Sequence, residues 1–199
     1  PVAGTVRPLR LGGETWSGDS SRTFEVVSPF DGSQVGIVPS CSSDDVDRAV
    51  RSARAGMRRG LAQHERVAVL ERAARALEEH REEFARIVAC EAAKPIRTAR
   101  VEVDRAVSTF GFSAAEARRL TGETIPLEAS PSGVGKIGFT MRVPIGVVGA
   151  IAPFNFPLNL VVHKVGPSGF SQMIGDRAAV DAAADDDHLG LIGKGVGHH

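Results

Sequence analysis

Hydrophobic residues recur at helical spacing between residues 41 and 120 and predict three helices. The first follows Ser42, which forms a loose capping box with Asp45 three residues later. The second begins near His64, and the third has Pro95 in its first turn. The apolar stripes of the three helices are Val46, Ala49, Val50, Ala53 and Met57; Val67, Leu70, Ala74, Leu77, Phe84, Ile87 and Val88; and Ile96, Ala99, Val103, Ala106, Val107, Phe110 and Ala114. Such stripes are typical of a helix-packing core rather than of a binding groove.

Shorter apolar runs on either side of the helical segment predict strands. Thr23–Val27 and Gln34–Val38 flank a turn signal at residues 29–32 and predict a hairpin. Residues 136–143 alternate between polar and apolar, as in a strand at a sheet edge or in an intersubunit ribbon. Residues 145–152 are continuously apolar, which predicts a parallel strand that is covered on both faces.

Proline residues set the end of that strand and the start of the next element. Pro153 ends the strand, and a further helix is expected to begin at Pro157. The order strand, tight loop and helix predicts an α/β fold. In open α/β sheets, ligands bind at the carboxyl ends of strands, beside helix N-termini.

The chain therefore divides into three parts on sequence grounds. Residues 1–40 are expected to form strands and turns. Residues 41–167 are expected to contain the helical segment, the ribbon strand and the first strand–loop–helix unit. Residues 168–199 form a tail rich in glycine and aspartate, and its final His198-His199 is interpreted as a tag remnant.

Composition excludes several classes of partner. The 24 basic residues equal the 24 acidic ones, so a formal net charge of zero argues against nucleic acid as a partner. Residues 143–162 are uncharged over the length of a bilayer span, but Pro144, Pro153 and Pro157 would break a helix there. A membrane partner is therefore not expected. The N-terminus has no apolar signal segment, and two cysteines do not make a disulfide framework, so a cytoplasmic location is predicted.

Three patterns that resemble functional sites are weak. The stretch GLIGKGVG lacks the spacing of a phosphate-binding loop and is expected to be a flexible end. His163, His188 and the ADDDH stretch provide no spaced set of ligands, so no metal site is predicted. Cys41 and Cys90 lie near neither a base nor a cationic site, and both are expected to be structural.

One polar residue stands out at the end of the apolar strand. Asn155 lies between Phe154 and Phe156 in the stretch APFNFPLNL, with prolines stiffening the backbone on both sides. Asparagine is common at such turns as a cap, and this reading taken alone is the stronger one. The other reading is that the amide is delivered to a reaction centre.

Three stretches resemble motifs of one family and occur in its order over residues 20–167. RVPIGVVGAIAPFNFPLNLVVHKVGP resembles the Pro-(Trp/Phe)-Asn-Phe-Pro motif of the NAD(P)-dependent aldehyde dehydrogenase superfamily. VVSPFDGSQVGIVPS resembles the family's Asn-Pro-x-x-Gly-x-x-(Ile/Val) strand pair, and EAAKPIRTARVEVDRAV its Glu-x-Gly-Lys-Pro-x-x-x-Ala-x-x-Glu-Val helix. The resemblance favours the functional reading of Asn155.

The resemblance implies a fold and an activity. The fold would be the N-terminal portion of such an enzyme, with helices, the start of a Rossmann-type parallel sheet and an oligomerisation ribbon at 136–143. The activity would be oxidation of a small-molecule aldehyde to a carboxylic acid with NAD or NADP, through a cysteine thiohemiacetal. The self-association implied by the ribbon would give a dimer or tetramer.

The resemblance also assigns roles to individual residues. Asn155 would be half of an oxyanion hole. Phe156 would face the aldehyde tunnel. The cofactor cleft would be lined by Ile151, Ala152, Pro153 and Phe154.

The chain departs from the family pattern after Pro167, where the family's Lys-Pro strand does not follow. In that family, the nucleophilic cysteine and the glutamate base belong to a catalytic domain, and the resemblance implies that these 199 residues lack it. The resemblance therefore implies an N-terminal part, truncated or internally deleted after Pro167. Two hypotheses follow: an aldehyde dehydrogenase whose 199-residue chain is inactive alone, or a non-catalytic fragment that serves as a structural or assembly module.

Overall fold

The computed structural model describes residues 6–18 and 22–170, with side chains up to residue 166. Two hairpins precede four helices, and a third small hairpin precedes a fifth helix. Each sheet in the described part has two antiparallel strands. Most of the predicted glycine- and aspartate-rich tail, residues 171–199, lies outside the described residues.

The N-terminal hairpins are built from four strands. Strand β1 (Leu9–Leu11) pairs with β2 (Glu14–Trp16), and β3 (Thr23–Val27) pairs with β4 (Gln34–Pro39). The β1–β2 turn has two glycines at positive φ, 67° and 86°, the conformation that a tight type I′ hairpin turn requires. The β3–β4 pair confirms the hairpin predicted from the sequence.

Five α-helices follow in the described chain, and two short 3₁₀ helices, Leu127–Ala129 and Pro131–Gly133, lie between the fourth and the fifth. Helix α1 is Ser43–Arg59, α2 is Gln63–Glu79, α3 is Arg81–Ala92, α4 is Ile96–Arg118 and α5 is Asn159–Phe170. The predicted capping box of the first helix is confirmed, since Asp45 N–H donates to Ser42 Oγ and Ser42 N–H donates to the Asp45 carboxylate. The last helix begins two residues after the predicted Pro157.

The second predicted helix is two helices in the structure. His80 ends α2 and begins α3, with φ −98° and ψ 22° between the helical and extended regions. Neither glycine nor proline marks this break, so the hydrophobic periodicity predicted a single continuous helix. Leu77 of α2 and Ala85 of α3, on either side of the break, are both buried in the core.

The core, here called the helical core, lies between α2, α3, α4 and α5. Val103 and Ala106 of α4 have no exposed surface, and α5 adds Leu158, just before its first residue, and Val162. Helices α4 and α5 approach closely, because a Cβ added at Gly166 would lie only 2.3 Å from Ser113 Oγ. The other buried members are Val67, Leu70, Ala73, Leu77, Ala85, Val88, Ala99, Phe110, Ala114 and Ala117.

The predicted strands after α4 are mostly not formed. Strand β5 (Thr124–Ile125) pairs with β6 (Gly138–Phe139), which is all that remains of the strand predicted over 136–143. The prediction of a parallel strand over 145–152 was wrong, since these residues are neither helix nor strand. The reason is physical: a strand needs a neighbour to complete its hydrogen bonds, and the described residues supply none here.

Residues 137–151, here called the apolar arm, consequently expose their side chains. Ile145 is 84% exposed and Ile151 is 91% exposed. The other exposed apolar residues of this stretch are Ile137, Phe139, Met141, Val143, Val147 and Val148. The described residues thus form no parallel sheet, whereas the mixture of helices and strands that the predicted α/β fold class requires is present.

Candidate functional site

The candidate site is the loop between the apolar arm and α5. Its first half is open, since Asn155 is exposed and Phe154 is 48% exposed. Its second half is anchored, since Leu158 and Asn159 are buried against the helical core. The loop therefore holds Asn155 at the surface while its C-terminal end is fixed.

A buried carboxylate fixes the anchored end. Glu102 lies on the inner face of α4 and has no exposed surface. Its Oε1 accepts hydrogen bonds from the backbone N–H groups of Leu158, at 2.9 Å, and Asn159, at 3.2 Å. These amides begin α5 and have no partner inside the helix, so the carboxylate caps the helix from a distant element.

A lysine connects this carboxylate to Asn155. Lys94 Nζ donates to Glu102 Oε2 at 2.7 Å and to the backbone carbonyl of Asn155 at 2.6 Å. The lysine side chain is only 14% exposed. The site thus contains a nearly buried ion pair that bonds the loop both before and after Pro157.

Phe156 contacts two cations. Lys94 Nζ lies 4.6 Å from the centre of its ring, and Arg105 Cζ lies 5.4 Å from it. Both distances are within the range of cation–π attraction. The ring is therefore half-buried between basic side chains, and its predicted place at a substrate tunnel stays a prediction.

A cavity of about 480 Å³ that is largely open to solvent lies beside the loop. Of the four residues predicted to line a cofactor cleft, Ile151 borders this cavity, together with Val148, Gly149, Ala150, His163 and Lys164. Ala152 is half-buried, and Pro153 and Phe154 are exposed on the adjoining stretch. The structure thus places one of the four at the cavity, and the cleft itself stays a prediction.

The two cysteines lie away from the core. Both Cys41 and Cys90 are exposed, so neither is a core packing residue. Partial burial of the Cys41 thiol, with the nearby Asp45 carboxylate, raises its pKa. A raised pKa lowers the thiolate fraction and disfavours Cys41 as a nucleophile.

Sequence reasoning missed the Lys94–Glu102 pair. Both residues lie in the stretch EAAKPIRTARVEVDRAV, but neither was assigned a role. The available signal was that Glu102 sits within the apolar stripe of α4, three residues after Ala99 and four before Ala106. A carboxylate on an apolar helix face needs a buried partner, and Lys94 is that partner.

Among the described residues, no helix combines the length and the apolar composition that a bilayer crossing requires.

Comparison with known proteins gives one consistent result. The model of the aldehyde dehydrogenase family matches residues 16–170. A 3-sulfolactaldehyde dehydrogenase from Priestia aryabhattai is 42% identical over 149 residues, which are 75% of this chain and 31% of the relative. The chain thus spans about a third of the length of that relative.

Solved structures agree. Aldehyde dehydrogenase 21 from Physcomitrella patens, in complex with the reaction product succinate, superposes with a TM-score of 0.82 at 31% identity, covering 92% of this chain and 40% of that one. An NADP-dependent glyceraldehyde-3-phosphate dehydrogenase from Bacillus halodurans, complexed with NADP, gives a TM-score of 0.80 at 30% identity, covering 93% of this chain and 42% of that one.

Proposed function

The chain belongs to the aldehyde dehydrogenase family, and we propose that it is the N-terminal portion of an oxidoreductase that converts an aldehyde to a carboxylic acid with NAD or NADP. The observation that carries this proposal is that the loop exposes the side chain of Asn155 while its backbone is restrained. Its side chain is exposed, while its backbone carbonyl is held by Lys94 at 2.6 Å. A polar donor on a restrained backbone is what stabilisation of a developing charge requires.

Asn155 is proposed to act as an oxyanion donor. When a thiolate attacks the aldehyde carbon, negative charge develops on the aldehyde oxygen, and the side-chain amide of Asn155 donates a hydrogen bond to that oxygen. Phe156, next in the chain, is proposed to border the aldehyde. Its ring is already placed by Lys94 and Arg105.

The cofactor is proposed to lie along Ile151, Ala152, Pro153 and Phe154. The cavity of about 480 Å³ beside Ile151 has the size of part of a ligand site, and its basic residues His163 and Lys164 suit a phosphate-bearing molecule. NAD or NADP, when bound, supplies the acceptor for the hydride that leaves the substrate. The chain's own residues would hold the cofactor and exclude water from the reacting carbon.

The nucleophile is proposed to come from outside these 199 residues. Cys41 is disfavoured by its raised pKa, neither Cys41 nor Cys90 lies in the loop that carries Asn155, and the chain spans 31% of the length of the Priestia relative. We therefore expect no turnover by the chain alone, and a cytoplasmic location for the complete enzyme.

A chimaera tests the role of Asn155. Residues 16–170 would replace the matching third of the Priestia relative, and NADH formation would be followed with a panel of aldehydes. Asn155→Ala is expected to lower kcat by about 10²–10³ with a smaller change in KM. An active chimaera that is insensitive to this substitution would refute the proposed role of Asn155. NADH formation by the 199-residue chain alone would instead refute the proposal that the nucleophile comes from outside it.

A second candidate function, assembly, is favoured by the apolar arm. Its exposed side chains, including Ile145 and Ile151, form a surface that proteins usually cover. We propose that the arm pairs with the arm of a second copy, giving a dimer or tetramer. Light scattering of the purified chain would show association that weakens in an Ile137→Lys/Ile145→Lys variant, and a monodisperse monomer would contradict it.

A further inference from the structure

We propose that Lys94 and Glu102 are positioning residues, which together set the direction of the backbone at Asn155. This inference rests on the proposed function only where it concerns the chemistry of Asn155. The claim that the pair restrains the backbone at Asn155 rests only on the contacts of Lys94 and Glu102. The two residues belong to the α3–α4 connection and to α4, far along the chain from the loop that they hold.

Glu102 fixes the end of the loop through both of its oxygens. Oε1 accepts the N–H groups of Leu158 and Asn159, and Oε2 accepts Lys94 Nζ. A carboxylate with no exposed surface cannot exchange these donors for water. The start of α5 is therefore held at one place relative to α4.

Lys94 transmits this restraint to the other side of Pro157. Its Nζ is shared between Glu102 Oε2 and the carbonyl of Asn155, so the ammonium group cannot leave one acceptor without weakening the other. Because the carbonyl is bonded, rotation of the peptide unit that follows Asn155 is restricted. The direction of that peptide unit in turn limits where the Asn155 side chain can point.

The surroundings of Lys94 make its position specific. The residue lies between Ala93, which has a left-handed φ of 50°, and Pro95, whose ring fixes φ. Its ammonium group also lies over the ring of Phe156. The lysine is thus held at its backbone and at its tip, as a positioning group needs to be.

The alternative is a purely structural ion pair that joins α4 to α5. Both readings predict a loss of stability when the pair is cut, so stability cannot separate them. They differ at Asn155: only a positioning role predicts that its side-chain amide changes while the fold is kept.

The test uses the full chain with 15N-labelled asparagine, and it follows the Asn155 side-chain amide by NMR. The variant Lys94→Met/Glu102→Gln removes both charges, leaves no unpaired buried ion and keeps an acceptor for the α5 amides. We expect a shift and broadening of the Asn155 amide signals and faster hydrogen exchange at Leu158 and Asn159, with an unchanged helical circular dichroism spectrum.

The matched control is Arg81→Gln/Asp104→Asn. It also removes one cation and one anion, from an ion pair between α3 and α4 in which Arg81 Nη2 donates to Asp104 Oδ2 at 2.7 Å. That bond does not involve the loop that carries Asn155. The Asn155 signals are expected to stay in place. Equal shifts in both variants, or none in either, would overturn the inference.

A milder variant keeps the test informative if the double variant does not fold. Lys94→Arg retains the charge opposite Glu102 but presents a longer planar group to the Asn155 carbonyl. It is expected to shift the Asn155 amide signals by less. A folded Lys94→Arg protein with wild-type Asn155 signals would overturn the inference.

The chimaera separates this inference from the proposed function. In the chimaera, Lys94→Met/Glu102→Gln is expected to lower kcat by about 10- to 100-fold with little change in KM. If Asn155→Ala lowers kcat but the double variant leaves kcat and the amide signals unchanged, the positioning role fails alone. If the amide signals move but Asn155→Ala has no effect, the proposed function fails and the positioning role stands.

Discussion

The helical core and the apolar arm are both rich in hydrophobic residues but differ completely in burial. Val103 in α4 has no exposed surface, whereas Ile151 in the arm is 91% exposed. A helix completes its backbone hydrogen bonds within itself, so four helices need only pack their apolar faces. A strand needs a second strand, and the described chain offers the arm only the two-residue partner β5.

The candidate site lies where these two regions meet. Ile151 belongs to the arm, Leu158 to the helical core, and Asn155 stands between them. The Lys94–Glu102 pair bonds the loop to the core at its C-terminal end and at Asn155. The exposed loop is therefore restrained by an ion pair of the helical core, without a sheet beneath it.

Breaking the Lys94–Glu102 ion pair is expected to have the largest effect on the unfolding free energy. In Lys94→Met, the fully buried Glu102 carboxylate would lose its cation. Leaving a buried charge unpaired costs about 3–5 kcal/mol of unfolding free energy. Urea denaturation followed by circular dichroism would measure this loss.

The paired variant supplies the control for that experiment. Lys94→Met/Glu102→Gln leaves no buried charge, so most of the lost stability should return. A single variant as stable as the double one would contradict the assignment of Glu102 as a buried ion.

Matched truncations in the two regions would show the next largest effect. Leu70 is 3% exposed, and Leu70→Ala is expected to lower the unfolding free energy by about 2–5 kcal/mol through the cavity that it leaves. Ile145 is 84% exposed within one copy of the chain, so Ile145→Ala should change the unfolding free energy of the dissociated monomer, at low protein concentration, by less than about 0.5 kcal/mol. Similar losses in both variants would mean that the arm is buried even in the monomer.

The same physical difference explains how far the sequence predicts this molecule. Stripes such as Leu70 and Val103 predicted the helical core because helical spacing reports local structure. The run 145–152 has the composition of a buried strand, but composition does not supply the neighbours that such a strand must have. The prominence of Asn155 was visible in the sequence, whereas its bond to Lys94 depends on a contact between residues 61 positions apart.

A substitution beside Lys94 is expected to stabilise the helical side. Ala93 has φ 50°, and it stands where the Glu-x-Gly-Lys-Pro motif has glycine. A left-handed conformation costs a non-glycine residue about 1–2 kcal/mol, while glycine adds about 0.4–1 kcal/mol of unfolded-state entropy. Ala93→Gly should therefore raise the unfolding free energy by about 0.5 kcal/mol.

The neighbouring alanine provides a control of opposite sign. Ala92 is the last residue of α3, and Ala92→Gly should destabilise by about 0.5–1 kcal/mol. Thermal melts of both variants would measure the difference. Destabilisation by Ala93→Gly would contradict the strained conformation.

The smallest effect concerns the surface pair between Arg81 and Asp104 on the helical side. A hydrogen bond from the Arg81 guanidinium holds the pKa of Asp104 below its usual range. Because the folded pKa is lower than the unfolded value of about 4, the pair stabilises the fold above that pH, and this contribution is lost as the pH falls through the folded pKa. The wild type should therefore lose more stability between pH 6 and pH 3 than Arg81→Gln/Asp104→Asn, and the difference should shrink at high salt because both partners are solvent-exposed. Equal losses in the two proteins would show that this exposed pair contributes nothing to the stability of the fold.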